Sequence, residues 1–380
     1  MRLKLFFTLF FVYSFMSSQI TFSPTTTTAG TFKVPAGVTS LNVECWGAGG
    51  AGGGVTAGLS LFAGGGGGGG AYSKITALSV TPATVLNYKV GEGGTGANGV
   101  DGTDGGQTFF STVIANGGFG GKFGNPSLGA GGAGGAASGA GIKFSGGNGA
   151  TAAILNLVTI NSGGGGGGAG TSANGGSANN ATAGAGGSSG GGNGATGVIA
   201  LFSDGTNGAV PGGGGSGAAS ILSVSGGRKG GNGGNGKLNV IYTCPTYGLT
   251  APTTADDVCT TVSTTSVVRL TGLPNGDYVV TYNRSNPNVT GLTATMSVTG
   301  GTGIGTFTAV GLTTPGSSTI TITNLTSEAC TNTVNANNAV TINIYSASVG
   351  GTINTPPAIC SGATSGSLTL SGYTGTITGW

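Results

Sequence analysis

The sequence predicts a mainly β protein. An N-terminal β-sandwich is fused to a polyglycine-type bundle of extended helices, and one further β-sandwich and the start of a second follow, with no significant helix beyond a signal peptide. Three observations carry this expectation. The 380-residue chain holds 87 glycines and only 6% charged residues. Its apolar stretches alternate with a period of two, as half-buried strands do. Its glycine-rich tracts show triplets, the period of a left-handed extended helix with three residues per turn.

The first element is a leader. Met1-Arg2-Leu3-Lys4 precedes the apolar run L-F-F-T-L-F-F-V-Y-S-F-M, and Ser17-Ser18-Gln19 supplies small residues for cleavage. The run is too short to span a bilayer, which needs about 20 apolar residues, so residues 1–18 read as a secretory signal peptide. No other stretch is long and apolar enough to span a membrane. Loss of Arg2 and Lys4 lowers the formal charge from +3 by two, to +1. Nothing is left to attract a phosphate backbone, and nucleic acid is excluded as a partner. Disordered chains combine low hydrophobicity with high charge; here 37% of residues are hydrophobic and the mean hydropathy is +0.23. A chain so poor in charge needs an ordered way to occupy its backbone polar groups.

Residues 19–243 form the glycine-rich domain. V-T-S-L-N-V-E-C-W (38–46) alternates and reads as a strand, as do A-Y-S-K-I-T-A-L (71–78), A-T-V-L-N-Y-K-V (83–90) and Q-T-F-F-S-T-V-I-A (107–115). K-L-N-V-I-Y-T (237–243) comes only after more than a hundred glycine-rich residues. A last strand so distant implies one closed β unit with a long insertion, about 117–236. There G-G-A-G-G-A and G-G-N-G-G-N-G repeat in threes. If small side chains occupy every third position, backbones approach closely and each N–H and C=O is satisfied by a neighbouring chain. That explains why seven consecutive glycines (64–70) stand between two strand-like segments. Collagen is excluded, because the triplet phase breaks and proline is scarce. Apolar segments between the glycine runs serve either as packing at the bundle ends or as a recognition surface. The candidate tips are 152–161, 202–210 and 221–229, with Phe202, Asp204, Arg228 and Lys229 as the individual ligand contacts; Phe202 is also readable as core, and Arg228-Lys229 as a solvated tip.

From Cys244 glycine thins, and short Thr- and Val-rich strands recur at sandwich spacing: 266–271, 277–282, 293–298, 305–310, 318–323 and 339–345. Residues 244–350 read as one sandwich. D-V-C-T-T-V-S-T-T-S-V-V-R-L-T-G-L begins at Asp257, and A-I-C-S-G-A-T-S-G-S-L-T-L-S-G-Y begins at Ala358. Residues 351–380 therefore read as the start of a second repeat, and the chain as a piece of a longer array. Five cysteines in a secreted chain leave one over. Cys259–Cys330 would clasp the sandwich. Cys45 and Cys244 end strands that could be neighbours and could pair, with Cys244–Cys259 as a competitor, and Cys360 awaits a partner in the next repeat.

The chain has no histidine, which excludes His-dependent triads and zinc sites. No catalytic, cofactor or metal-binding constellation stands out. Asp101 and Asp104 sit in N-G-V-D-G-T-D-G-G and Asp256-Asp257 form a second pair, but each cluster has too few oxygen ligands for calcium and reads as turn chemistry. The many G-x-G-x-x-G matches lack a βαβ context and carry no weight.

F-K-V-P-A-G-V-T-S-L-N-V-E-C-W-G-A-G-G-A-G-G-G, G-G-G-G-G-G-A-Y-S-K, V-G-E-G-G-T-G, I-A-N-G-G and the closing G-G-N-G-G-N-G-K-L-N-V-I-Y resemble, in order, the bacterial and phage glycine-rich domain, over about 28–243. That resemblance implies a small β-sandwich joined to a polyglycine-helix bundle whose tip loops bind receptors in phage adhesins. The part from Cys244 resembles the Ig-like repeats of large secreted surface proteins of gliding bacteria. Neither supplies a catalytic residue. The leading expectation is a secreted or cell-surface adhesin-like protein, not an enzyme, with a surface polysaccharide or protein receptor as partner. The alternative is the non-catalytic accessory region of a secreted enzyme. Ice binding would need regular Thr or Ala ranks, against which the broken triplet phase argues.

Overall fold

The computed structural model describes residues 19–380 except 125–127, 157–158, 200–201, 224–225, 261, 357, 365–366, 375–376 and 378–380. The signal peptide expected at 1–18 lies outside the described residues. No helix occurs among those described, and strands form several sheets, so the chain is mainly β as expected. It divides into two compact units: residues 38–244 with the segment before 35, and residues 245–380 with 35–37.

The first unit contains β1 (Gln19–Phe22), β2 (Gly30–Lys33), β3 (Ser40–Trp46), β4 (Gly58–Ala63), β5 (Tyr72–Ser79), β6 (Val85–Lys89) and β7 (Thr108–Phe110). There follow β8 (Val113–Ala115), β9 (Ile142–Phe144), β10 (Ala153–Asn156), β11 (Thr159–Asn161), β12 (Phe202–Ser203), β13 (Ala219–Ser223) and β14 (Lys237–Thr243). A five-stranded sheet in the order β1-β14-β3-β5-β9 packs on a four-stranded sheet, β2-β6-β7-β8. Alternation drives this sandwich: Leu41, Val43 and Cys45 of β3 and Leu238, Val240 and Tyr242 of β14 are buried. Between the sheets Phe32 meets Phe22, Phe110 and Tyr242 with ring centroids 5.3–5.8 Å apart, tilted against Phe22 and edge-on to the other two, which adds to the area buried. At the margin Glu44 accepts hydrogen bonds from Lys74 Nζ at 3.0 Å and Tyr72 Oη at 3.1 Å. Burial alone would raise its pKa, but these donors hold it below the usual carboxylate value.

Between the strands runs a lattice of backbone segments with no strand or helix assignment, and its hydrogen bonds follow a cycle of three. Gly64, Gly67 and Gly70 donate to the carbonyls of Ala218, Gly215 and Gly212; Gly65, Gly68 and Ala71 donate to Lys122, Phe119 and Asn116; Gly66 and Gly69 donate to Ala150 and Gly147. Their carbonyls serve three further segments. Those of residues 63, 66 and 69 accept from Gly129, Gly132 and Gly135, those of 64, 67 and 70 from Gly163, Gly166 and Ala169, and those of 65, 68 and 71 from Gly53, Gly50 and Gly47. All these distances are 2.7–3.0 Å. A chain that turns by a third of a circle per residue gives this rotation of partners. Segments 47–55, 163–169 and 212–218 are buried in the same way. The lattice therefore starts at residue 47, well before the insertion at 117, and the seven-glycine run is at its centre.

Glycine is required there by space. A Cβ built on any of residues 64–70 would stand 1.9–2.2 Å from a neighbouring carbonyl oxygen. On outer segments every third residue faces solvent and carries a side chain: Ala130, Ala133 and Ala136 on one, Asn174, Ser177 and Asn180 on another, Lys229, Asn232 and Asn235 on a third. Asn side chains satisfy amides of adjoining outer segments. Gly134, Gly96 and Gly186 donate to Oδ1 of Asn148, Asn232 and Asn193 at 2.8–2.9 Å.

The second unit contains β15 (Thr254–Ala255), β16 (Val258–Cys259), β17 (Ser266–Thr271), β18 (Gly276–Ser285), β19 (Asn288–Val298) and β20 (Ile304–Ala309). It continues with β21 (Gly316–Ser327), β22 (Cys330–Thr333), β23 (Ala339–Tyr345), β24 (Gly350–Ile353) and β25 (Leu370–Tyr373). One sheet runs β15-β17-β20-β19-β18-β21-β23-β16, with β22 on β21. It curls until β15 packs against β23, and Val268, Leu270, Val280, Tyr282, Phe307, Ile320, Ile322 and Leu325 fill the sandwich-like interior. Arg284 is buried there with its charge spent on carbonyls: Nε donates to Pro287 O at 2.8 Å, and Nη1 donates to Val310 O. β24 and β25 pair antiparallel, as β15 and β17 do.

The cysteines correct two expectations. Cys244 and Cys330 are disulfide-bonded, and neither Cys259–Cys330 nor Cys45–Cys244 forms. Cys259 pairs with Tyr345 beside the Gly316 end of β21, whereas Cys330 pairs with Ser327 at its other end. A 12-residue strand spans roughly 40 Å, and a disulfide needs Cα atoms within about 7 Å. Cys45 and Cys244 do end adjacent strands, but β3 and β14 are antiparallel and Cys45 faces Leu238 at the start of β14. Their C-terminal ends point opposite ways. Cys45 is fully buried, donates to Val113 O at 3.7 Å, and burial pushes its thiol pKa far up.

Two outcomes follow. Gly67→Ala should cost at least about 3 kcal/mol in chemical denaturation, because backbone on both sides must move, whereas Ala133→Ser should be neutral. Under non-reducing conditions, mapped peptides should hold Cys244 and Cys330 in disulfide linkage, and exposed Cys360 should alkylate in the native protein while Cys45 reacts only after unfolding.

Candidate recognition surface

β3 ends at Trp46, and segment 47–55 runs away from the sandwich for roughly 25 Å at about 3.1 Å per residue. β4 follows, and the glycine run returns the chain to β5. The hydrogen-bond cycle sets which residues share the far end. Val55 and Arg228 exchange backbone hydrogen bonds at 2.9 Å in both directions, and Asn98 bridges Lys229. β4 pairs with β13, and β13 with β12. The hairpin β10–β11 packs beside β4. The far end is thus built from short sheets, where side chains replace the glycine backbone as the packing material. Ala63, Ala152, Ile160 and Ala219 form one buried cluster with Leu61, Leu128 and Val198; Val55, Phe62 and Ala218 form another.

The four expected contact residues meet on this end. In register, Phe202 of β12 faces Ser220 of β13, which faces Phe62 of β4. The Arg228 guanidinium carbon lies 3.5 Å from the centroid of the Phe202 ring, a cation–π contact. Arg228 Nη1 is 3.9 Å from Asp204 Oδ1, which also accepts the Lys229 N–H at 3.2 Å. Gly205 N–H donates to the Lys229 carbonyl at 2.9 Å. Asp204 therefore pins the backbone that carries the two cations. Arg228 Nε, Asn161 Oδ1 and Ser220 Oγ are buried without a hydrogen-bond partner. Around them Val100, Phe123, Ile154, Leu155 and Ile199 are exposed. The result is a surface of two aromatics, Phe123 and Phe202, two cations and scattered aliphatic side chains.

Of the expected tip segments, 152–161 forms β10–β11, with residues 157–158 outside the described residues, and 221–229 contributes Arg228 and Lys229, with 224–225 outside them. Segment 202–210 only begins here: Gly205 and Gly208 step along segment 229–232, so Val210 lies at the opposite end beside the sandwich. Sequence reasoning missed the part played by β4, Val55 and residues 97–100. The apolar L-F-A before the glycine run was a signal for β4, but not for its position.

Asp101, Asp104, Asp256 and Asp257 act on backbone and cations. Asp101 accepts from Lys122 Nζ at 2.8 Å and from Phe123 N–H at 2.9 Å. Burial works against its charge, but those two donors keep its pKa below the usual carboxylate value. Asp104 accepts from Gly120 N–H at 2.8 Å. In the second unit Arg269 grips both oxygens of Asp256 at 3.0 Å, and Asp257 accepts from Asn343 N–H at 2.8 Å.

Asp204→Ala should lower stability by about 1 kcal/mol and speed amide exchange at Lys229 while leaving residues 64–70 protected, as read by hydrogen exchange.

A family model described as a glycine-rich domain matches residues 25–243. Among curated proteins none matches the chain.

Proposed function

The chain belongs to the glycine-rich domain family, and from that premise we propose a secreted or cell-surface adhesin-like protein that binds and does not catalyse. The reading takes the backbone lattice as a bundle of polyglycine-type helices that holds the far-end surface rigid. It takes residues 244–350 as an Ig-like module and 351–380 as the start of another. The partner is a surface polysaccharide or a protein receptor.

The observation that carries this reading is the convergence of Phe202, Asp204, Arg228 and Lys229, from two segments of chain, on one end of the lattice. Aromatic and Arg anchors dominate recognition surfaces, and here they stand where the lattice no longer restricts side-chain size. Rigid support lowers the ordering cost of binding.

Wholesale replacement of 202–210 would remove lattice hydrogen bonds, so point variants are the cleaner test. Lys229→Ala and Arg228→Gln, alone and together, should lower retention of the labelled full chain on an array of surface polysaccharides and host glycoproteins by about tenfold or more, with the melting temperature within a few degrees of the parent. Retention equal to the parent's would place recognition elsewhere.

A further inference from the structure

At the end of the lattice nearest the sandwich, a cavity of about 370 Å³ opens between the segment after β1, Val90, Val210 and the start of β14. Its size falls in the range of small-ligand pockets. Pro24, Val90 and Val210 supply apolar walls, and Val210 is 63% exposed at the rim. The polar groups are chemically one-sided. Lys237 is the sole charged residue of the lining. Its ammonium lies 5.3 Å from the centroid of the Trp46 ring, and no described carboxylate is within ion-pairing distance of it. Asn235 commits Oδ1 to the Gly93 N–H at 2.8 Å, which leaves its NH₂ to donate. Ser23 Oγ shares its one proton between Leu238 O and Asn239 Oδ1, which leaves its lone pairs to accept, and Thr25 adds a second hydroxyl to the lining.

We infer that this cavity is a binding site for one carboxylated sugar unit of the uronic-acid type. The carboxylate meets Lys237 and the Asn235 amide, ring hydroxyls meet Ser23 and Thr25, and the C–H face of the ring lies on Val90 and Val210. A neutral sugar would leave the ammonium uncompensated, and a bare carboxylate would leave the apolar walls uncovered. The site shares no residue with the far-end surface, so it stands or falls separately from the adhesin reading.

The test is a titration of the isotopically labelled full chain with glucuronate, glucose and acetate, followed by amide chemical shifts. Glucuronate should give saturable shifts confined to residues 23–25, 90, 210 and 235–237, and glucose and acetate should bind about tenfold more weakly or less. Lys237→Met, at a strand position whose side chain is exposed, should lose glucuronate binding by a similar factor with an unchanged melting temperature. Val210→Glu, which sets a like charge at the rim, should do the same if Lys237→Met fails to fold. Absence of saturable shifts, an equal response to glucose or acetate, or undiminished binding in the folded variants would each overturn the assignment.

Discussion

Everything in the first unit depends on one constraint: a buried peptide group must find a hydrogen-bond partner, and along the central run 64–70 that partner is another peptide group at close range. In a strand the side chains keep neighbouring layers apart. In segment 64–70 there are none, and chains close in from every side. An amide hydrogen bond nets only about 1 kcal/mol, while glycine surrenders more entropy on ordering than other residues. The lattice is stable because no donor along the buried run is left over. It is a core without a hydrophobic interior, which is how a chain with so little charge and so few large side chains stays ordered.

Charge is distributed unevenly over this scaffold. Asp101, Asp104, Lys122, Arg228 and Lys229 all sit on outer segments that surround residues 47–55, whereas residues 129–199 contain a single charged residue, Lys143. On the charged side, carboxylates cap amides that would otherwise face water. On the neutral side, Asn148, Asn174 and Asn193 do the same work. Two chemistries thus solve one backbone problem, and only the charged side ends in a surface with strong electrostatic character.

Much of the sandwich was legible because period-two alternation reports burial directly. The expected strand at 237–243 has the limits of β14, and that at 339–345 those of β23. Legibility failed where a local conformation or a long-range partner decides. The strand expected at 107–115 is split into β7 and β8 by Ser111, whose φ of 52° turns the chain; alternation carries no trace of that. The strands ending near Cys45 and Cys244 could be neighbours on the sequence alone, but their antiparallel direction was not readable, and the pairing failed for that reason. The candidate contacts were legible as side chains too large for a glycine lattice. Their meeting at one end was not, because it follows from the phase in which 202–205 and 228–229 join their neighbours.

The partners of the central run also have an order in time. Gly65 and Gly68 bond to residues 116–122, but Gly67 waits for Gly215, and Gly52 and Gly49 wait for Gly231 and Gly234. A growing chain that has emerged only as far as residue 200 holds the middle of the lattice and lacks one complete wall of it. Contacts so remote in sequence make folding slow, because loop closure comes before the bonds that reward it. The glycine run therefore has no independent folding unit to join. Its hydrogen bonds are complete only once residues 212–218 have been made.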